Sequence, residues 1–290
     1  GTRSGPERAL VEGAGIPFSA IPSGKLRRYF DIRNCVDPFI LAAAFVVSFV
    51  RLLAWRPSVV VGAGSFVQVP VMWAAWVLRI PVVIHQQDVE AGLANRLVAP
   101  FATAITAALP SAAGAFGKHA VTVTGNPVRR AVLAAADRDP AAARQSFGLD
   151  PKPPTILILG GGTGAAALNA LVVAALPKLT EHAQVLHVTG KGKMMESSNS
   201  KAQIPKYRAV EFLTDRMAEA YAAADLVVSR AGLGTLTELG VLGKPTVLIP
   251  MPGTHQEANA KFLAESGAVA YFHEREITPV TFVARITALL

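Results

Sequence analysis

The stretch TILILGGGTGAAALN, residues 155–169, decides the fold. A run of apolar residues passes without polar alternation into a cluster of glycines, and alanine and leucine then take over. That order reads as a strand buried on both faces, a tight turn and a helix start, the repeating unit of a parallel sheet. The same alternation recurs on both sides of it. Downstream, QVLHVTG (184–190), AVEFL (209–213), DLVVSRAG (225–232) and PTVLIP (245–250) read as further strands, each followed by a helical pattern or a turn. Upstream, PSVVVGAG (57–64), PVVIHQQ (81–87) and AITAAL (104–109) read as strands with helices between them. The fold class is α/β, with two doubly wound Rossmann-like domains.

Between the halves, residues 124–154 turn to Pro, Asp and Arg, the composition of an exposed linker. The expected boundaries are a first domain at 1–128, a linker at 129–153 and a second domain at 154–290. Residues 1–18 read as the end of a strand and a helix, and residues 279–290 stop inside a helical pattern, so missing segments are expected at both ends: the first strand with its Gly-rich loop, and a C-terminal piece.

The 290 residues are 51% hydrophobic, enough for two cores, and only 17% charged, below the roughly 25% usual for soluble domains. An apolar partner fits that surface. The net charge of +8 favours an anionic partner, a phosphorylated substrate or acidic lipid. Nucleic acid is disfavoured, because the basic residues are spread out and not interleaved with aromatics. Cys35 is the only cysteine, which excludes an intrachain disulfide and CxxC metal or redox sites. The longest apolar stretch, FILAAAFVVSFVRLLAW (39–55), spans about 25 Å as a helix, short of the ~30 Å hydrocarbon core, and contains Arg51. Two readings compete: a core helix, or a helix with one face in the lipid interface and Lys25, Arg27, Arg28 and Arg33 at anionic head groups.

Three loops carry chemistry. Gly160, Gly161 and Gly162 let the backbone approach a diphosphate, with Thr163 as a hydroxyl donor, although such a turn is also a common structural device. It lacks the Lys-Ser/Thr ending of a P-loop. The second loop, SRAGLGTLTELG (229–240), carries Arg230, Gly234 and Thr235 into a helix with Glu238 about one turn on. A carboxylate there is either a dipole-stabilising helix residue or an acceptor for both hydroxyls of a ribose. GTHQEANAKFL (253–263) reads as a loop and then a helix, on which Gln256 and Asn259 share a face suited to sugar hydroxyls.

In order and spacing these pieces resemble the MurG family, as do GAGSFVQVP (62–70), IPVVIHQQDVEAGLANRLVAPFA (80–102) and TGNPVR (124–129). The resemblance covers nearly the whole chain. It implies a GT-B fold with the two domains facing across a cleft, and an inverting transferase moving N-acetylglucosamine from UDP-GlcNAc onto a polyprenyl-diphosphate-linked muramyl-peptide at the cytoplasmic face of the plasma membrane. UDP-GlcNAc is then a substrate, and neither a cofactor nor a metal is required. By the same resemblance Glu238 takes the ribose, Gly234 and Thr235 lie beside the diphosphate, Gln256 meets the transferred sugar and Phe212 marks the backbone that holds uracil. Gly161, Gly162, Thr163, Arg230, His255 and Asn259 complete the donor group. Gly64, Ser65, Phe66, His85, Gln87, Asp88, Asn126 and Arg129 form the acceptor and cleft group, and Phe39, Phe45 and Trp76 an apolar membrane patch on an anionic surface.

Where the family reads HEQN, this chain reads His85-Gln86-Gln87-Asp88, and Phe66 stands in place of tyrosine. The family's proposed general base, a histidine in an N-terminal Gly-rich loop, is not found, so the base is expected upstream of residue 1 and the chain as given is expected to be inactive. A related UDP-sugar transferase with another acceptor and a non-catalytic nucleotide-sugar-binding protein are the alternatives. A dinucleotide oxidoreductase fits less well, because the acidic ribose contact sits in the wrong repeat.

Overall fold

Continuous apolar runs need cover on both faces, and Thr155–Leu159, Gln184–Val188, Leu226–Ser229 and Thr246–Leu248 receive it in a computed structural model that describes residues 1–2, 5, 7–22, 37–161, 165–193, 204 and 206–290. The chain divides into two units, Gly1–Asn126 and Pro127–Leu290.

In the first unit, α1 (Glu7–Gly13) and α2 (Asp37–Trp55) precede β1 (Val60–Gly62), α3 (Gln68–Val77), β2 (Val82–Gln86), α4 (Leu93–Val98), β3 (Ala104–Ala107) and β4 (Val121–Val123). The four strands are parallel, in the order β1-β2-β3-β4. Along β2, Val82 and Ile84 turn into a core with Leu52, Met72, Val98 and Ile105, while Val83 and His85 take the other face. The strand β4 escapes sequence reading because VTV is too short to show a period.

The second unit holds α5 (Arg130–Leu133), α6 (Pro140–Ser146), β5 (Thr155–Leu159), α7 (Ala166–His182), β6 (Gln184–Val188), β7 (Tyr207–Val210), α8 (Met217–Ala223), β8 (Leu226–Ser229), α9 (Leu233–Val241), β9 (Thr246–Leu248), α10 (His255–Glu265), β10 (Ala270–Tyr271) and α11 (Pro279–Thr287). Its parallel sheet runs β10-β9-β8-β5-β6-β7, the doubly wound order whose direction of winding reverses between β5 and β8. Alternate residues of β5 feed two separate cores: Leu157 and Leu159 join one, Ile156 and Ile158 the other. That division is why the strand shows no polar alternation.

Residues 129–153, expected as an exposed linker, are folded into this unit. Val132, Ala135, Ala143, Phe147 and Leu149 lie in its core. The Asp-Pro pair that suggests a loop is a helix start: Asp139 caps α6 by accepting from the Ala141 and Ala142 amides at 3.1 and 3.2 Å, with Pro140 in the first turn. Buried Arg144 then donates to both oxygens of Asp225 at 3.0 and 2.9 Å and to the Ala223 and Pro151 carbonyls. The strand expected at 209–213 begins two residues earlier, at Tyr207, and ends at Val210.

Candidate functional site

In a doubly wound sheet, ligands bind beyond the carboxyl ends of the strands at the reversal point. Here that point is flanked by the loops after β5 and β8. After β5, Gly161 adopts φ +81°, the left-handed region glycine enters without strain. Gly162 and Thr163 lie outside the described residues. Neither α7, entered through Ala165, nor α9, entered through Gly232, has a side-chain cap on its first amides. Those N-termini can therefore receive an anion. Gly234 is exposed and Thr235 half-buried in the first turn of α9.

One turn further, Glu238 is only 8% exposed, and its carboxylate is a junction. Arg129 donates to it twice, Nε to Oε1 at 2.7 Å and Nη2 to Oε2 at 3.0 Å. Tyr221, on α8, donates its hydroxyl to Oε2 at 2.9 Å. Burial foremost, and then the Glu238 charge, push the Tyr221 hydroxyl well above the ordinary phenol range, so it stays a donor. The hydrogen bond to Glu238 raises the already high pKa of Arg129. The sequence places Arg129 with the acceptor group; the structure pairs it with Glu238 inside the second unit.

Two of the expected donor-group side chains are engaged within the fold. Buried Arg230 donates through Nη1 to the Ile249 carbonyl at 2.8 Å and pairs with Glu274, joining the ends of β8 and β9. Asn259, fully buried, donates to the Ala231 carbonyl at 3.0 Å and holds α10 against the loop that enters α9. Both therefore shape the loop and do not present a polar face outward. Gln256 is half-buried, and its Oε1 accepts from the Met251 amide at 3.1 Å. Thr254 caps the helix that His255, itself exposed, begins. Phe212 is 47% exposed in the loop after β7, beside buried Leu213.

At the carboxyl edge of the first sheet, strand register places His85 beside Thr106. His85 Nδ1 meets Thr106 Oγ1 at 2.9 Å and Nε2 meets Asn126 Oδ1 at 2.9 Å. Gly64, at φ +101°, donates its amide to Gln68 Oε1 at 2.9 Å; Gln68 donates to Asn95, and Asn95 to Gln86. Gln86 closes the chain by donating to the Asp88 and Glu90 carbonyls, both at 2.8 Å. A carboxylate at that position would have no proton to give, whereas the Gln86 amide holds the loop through both of its donated bonds. Ser65, Phe66 and Gln87 are exposed, and Asp88 is half-buried.

Sequence reading missed Tyr221, Gln68, Gln86 and Asn95. The available signal was a lone polar side chain on an otherwise apolar helix face or strand, as in QVPVMWAAWV.

On α2, Phe39, Val46, Val50 and Leu53 share one face and are exposed, Phe39 by 77%. Phe45 leaves the expected patch: it is half-buried against the core and stacks on Phe49 at 6.2 Å. Trp76 is half-exposed against Phe101 at 4.7 Å. By length and composition α2 is apolar enough to cross a membrane, with mean hydropathy 2.0. Lys25, Arg27, Arg28, Arg33 and Cys35 lie outside the described residues. Among the described residues no cluster of three or more His, Cys, Asp or Glu has metal-binding geometry.

Residues 1–107 match the glycosyltransferase family 28 N-terminal domain and residues 155–290 its C-terminal domain. Over 293 aligned residues, covering all of this chain and 82% of the relative, the sequence is 36% identical to UDP-N-acetylglucosamine--N-acetylmuramyl-(pentapeptide) pyrophosphoryl-undecaprenol N-acetylglucosamine transferase 2 of Bacillus cereus (strain ATCC 10987 / NRS 248). It is 37% identical to the transferase of the same description from Legionella pneumophila (strain Lens), over 87% of this chain and 68% of that one. The crystal structure of Acinetobacter baumannii MurG is similar at a TM-score of 0.73 and 29% identity, covering 99% of this chain and 80% of that one. The UDP-GlcNAc 2-epimerase of Neisseria meningitidis, solved with UDP-GlcNAc bound, shares the fold at a TM-score of 0.67 and 14% identity, covering 98% of this chain and 80% of that one.

Proposed function

The chain belongs to the MurG family of N-acetylglucosaminyltransferases within glycosyltransferase family 28, and from that premise we propose that it moves N-acetylglucosamine from UDP-GlcNAc to a polyprenyl-diphosphate-linked muramyl-peptide, with inversion. The observation that carries the reading is Glu238, one turn into a helix whose uncapped N-terminus stands at the reversal point of the sheet.

In this reading the amides at the starts of α7 and α9, with Thr235, take up the charge of the departing diphosphate without a metal. Glu238 accepts the ribose hydroxyls, the backbone near Phe212 receives the uracil, and Gln256 orients the sugar. A base removes the proton of the acceptor hydroxyl, which attacks the anomeric carbon as UDP leaves from the opposite face. His85, engaged at both ring nitrogens, orients the acceptor and is not assigned as that base. The exposed row on α2 rests on the cytoplasmic membrane surface, where a lipid-linked acceptor is held.

Calorimetric titration of UDP-GlcNAc, UDP-glucose and NAD against the chain and its Glu238→Ala variant tests the donor site. Selective binding of UDP-GlcNAc that disappears in the variant is expected. Equal binding of NAD, or binding indifferent to Glu238, would sink the reading.

A further inference from the structure

The carboxylate of Glu238 has two oxygens, and the three hydrogen bonds it accepts come from two very different donors. Tyr221 is 1% exposed, seated in the core of the second unit among Leu157, Leu186 and Leu239. Its hydroxyl has no route away from Glu238 without opening that core. The Arg129 side chain is 52% exposed and can swing into solvent at little cost. A guanidinium that binds a carboxylate through two parallel hydrogen bonds leaves, on departure, two parallel acceptor positions, one on each oxygen. Two adjacent hydroxyls on one sugar ring match that pattern.

We propose that Tyr221 is a positioning residue for nucleotide recognition, fixing the Glu238 carboxylate from below, and that Arg129 is the removable partner which a vicinal diol displaces. The inference rests on the donor-site reading above. Arginine and diol then compete for the same carboxylate, and the affinity for any diol is reduced by the fraction of protein in which the arginine is paired. Tyr221 touches Glu238 and acts on ligand through it.

The test compares UDP with 2′-deoxy-UDP, which lacks one of the two hydroxyls. Wild-type protein should bind UDP about tenfold or more tightly than the deoxy analogue, as expected of a charged acceptor left unpaired by the missing hydroxyl. Tyr221→Phe keeps the ring in the core and should reduce that ratio to within about threefold by weakening UDP alone. A packing role would weaken both nucleotides equally or lower only the melting temperature, and an unchanged ratio overturns the proposal. Arg129→Gln alters a half-exposed side chain and serves should the tyrosine variant fail to fold. Uridine, which carries no phosphate for the arginine to meet, should bind this variant severalfold more tightly by NMR titration, and equal or weaker binding overturns the exchange. Absence of discrimination by the wild-type protein removes the donor-site reading and this proposal together, whereas wild-type discrimination that Tyr221→Phe leaves unchanged, or uridine binding that Arg129→Gln does not tighten, removes the proposal alone.

Discussion

Arg129 and Glu238, 109 residues apart in the chain, meet in a two-point ion pair, Nε to Oε1 at 2.7 Å and Nη2 to Oε2 at 3.0 Å. The two partners are unequal in burial, 52% against 11% side-chain exposure. A double-mutant cycle on stability should therefore give a coupling below about 1 kcal/mol, because the exposed partner is screened by water. Glu238→Ala alone should cost more, about 1–3 kcal/mol, since it leaves the buried Tyr221 hydroxyl without its acceptor. Denaturant melts of the two single variants and the double variant measure both quantities, and a coupling well above that bound would contradict the screening argument.

His187 is fully buried, with Nδ1 at 3.1 Å from the Tyr207 hydroxyl and Nε2 at 3.1 Å from Asn169 Oδ1. Burial lowers its pKa from 6.5 to about 4. The unfolded chain therefore binds this proton more readily than the folded one. Stability is complete above pH 6.5 and falls as pH drops from about 6.5 toward 4, by up to about 3 kcal/mol from this group. Urea melts across that window should show the slope, and His187→Gln should flatten it.

Gln256 and Asn259 share a helix but not a fate. Asn259→Ala leaves the Ala231 carbonyl unpaired in the interior and should lower stability by about 1–3 kcal/mol. Gln256→Ala should leave the melting temperature within a degree or two while weakening discrimination between UDP-GlcNAc and UDP. The reverse pattern would move the sugar contact to Asn259.

A fragment spanning residues 154–290 discards Val132, Phe147 and Leu149 from the second unit's core, together with the Arg144–Asp225 pair. It should be unfolded by circular dichroism, whereas residues 127–290 should fold. Equal behaviour of the two would show that the segment merely rests on the surface.

Vesicle flotation with anionic lipid should show lower binding for Phe39→Ser and for Val50→Ser, both on the open face of α2. Phe45→Ser should instead lower the melting temperature, because its ring faces the core. Binding unchanged by Phe39→Ser and Val50→Ser would refute the patch.

Legibility in the sequence followed burial symmetry. Strands such as TILIL and LVVS are enclosed on both sides, and their composition says so directly. The glycine turns and Glu238 were equally visible, since backbone freedom and charge at a helix start are local properties. Three-residue β4 and two-residue β10 carry too few side chains to show a period. The folded segment at 129–153 was hidden because its Asp-Pro helix start has the composition of a loop, with its apolar residues widely spaced. Tyr221 was unreadable for another reason: one tyrosine in an alanine-rich helix looks like core, and only the fold shows which carboxylate its hydroxyl meets.

The chain divides between Asn126 and Pro127, and Arg129 lies just beyond that point, on the same side as Glu238. Recombination at the joint would thus carry both members of the pair into any hybrid together. On the proposed donor-site reading, a lineage exchanging its first unit would keep the Glu238–Arg129 pair whole, whereas a crossover about twenty residues later would separate carboxylate from guanidinium and strip the second unit of part of its core.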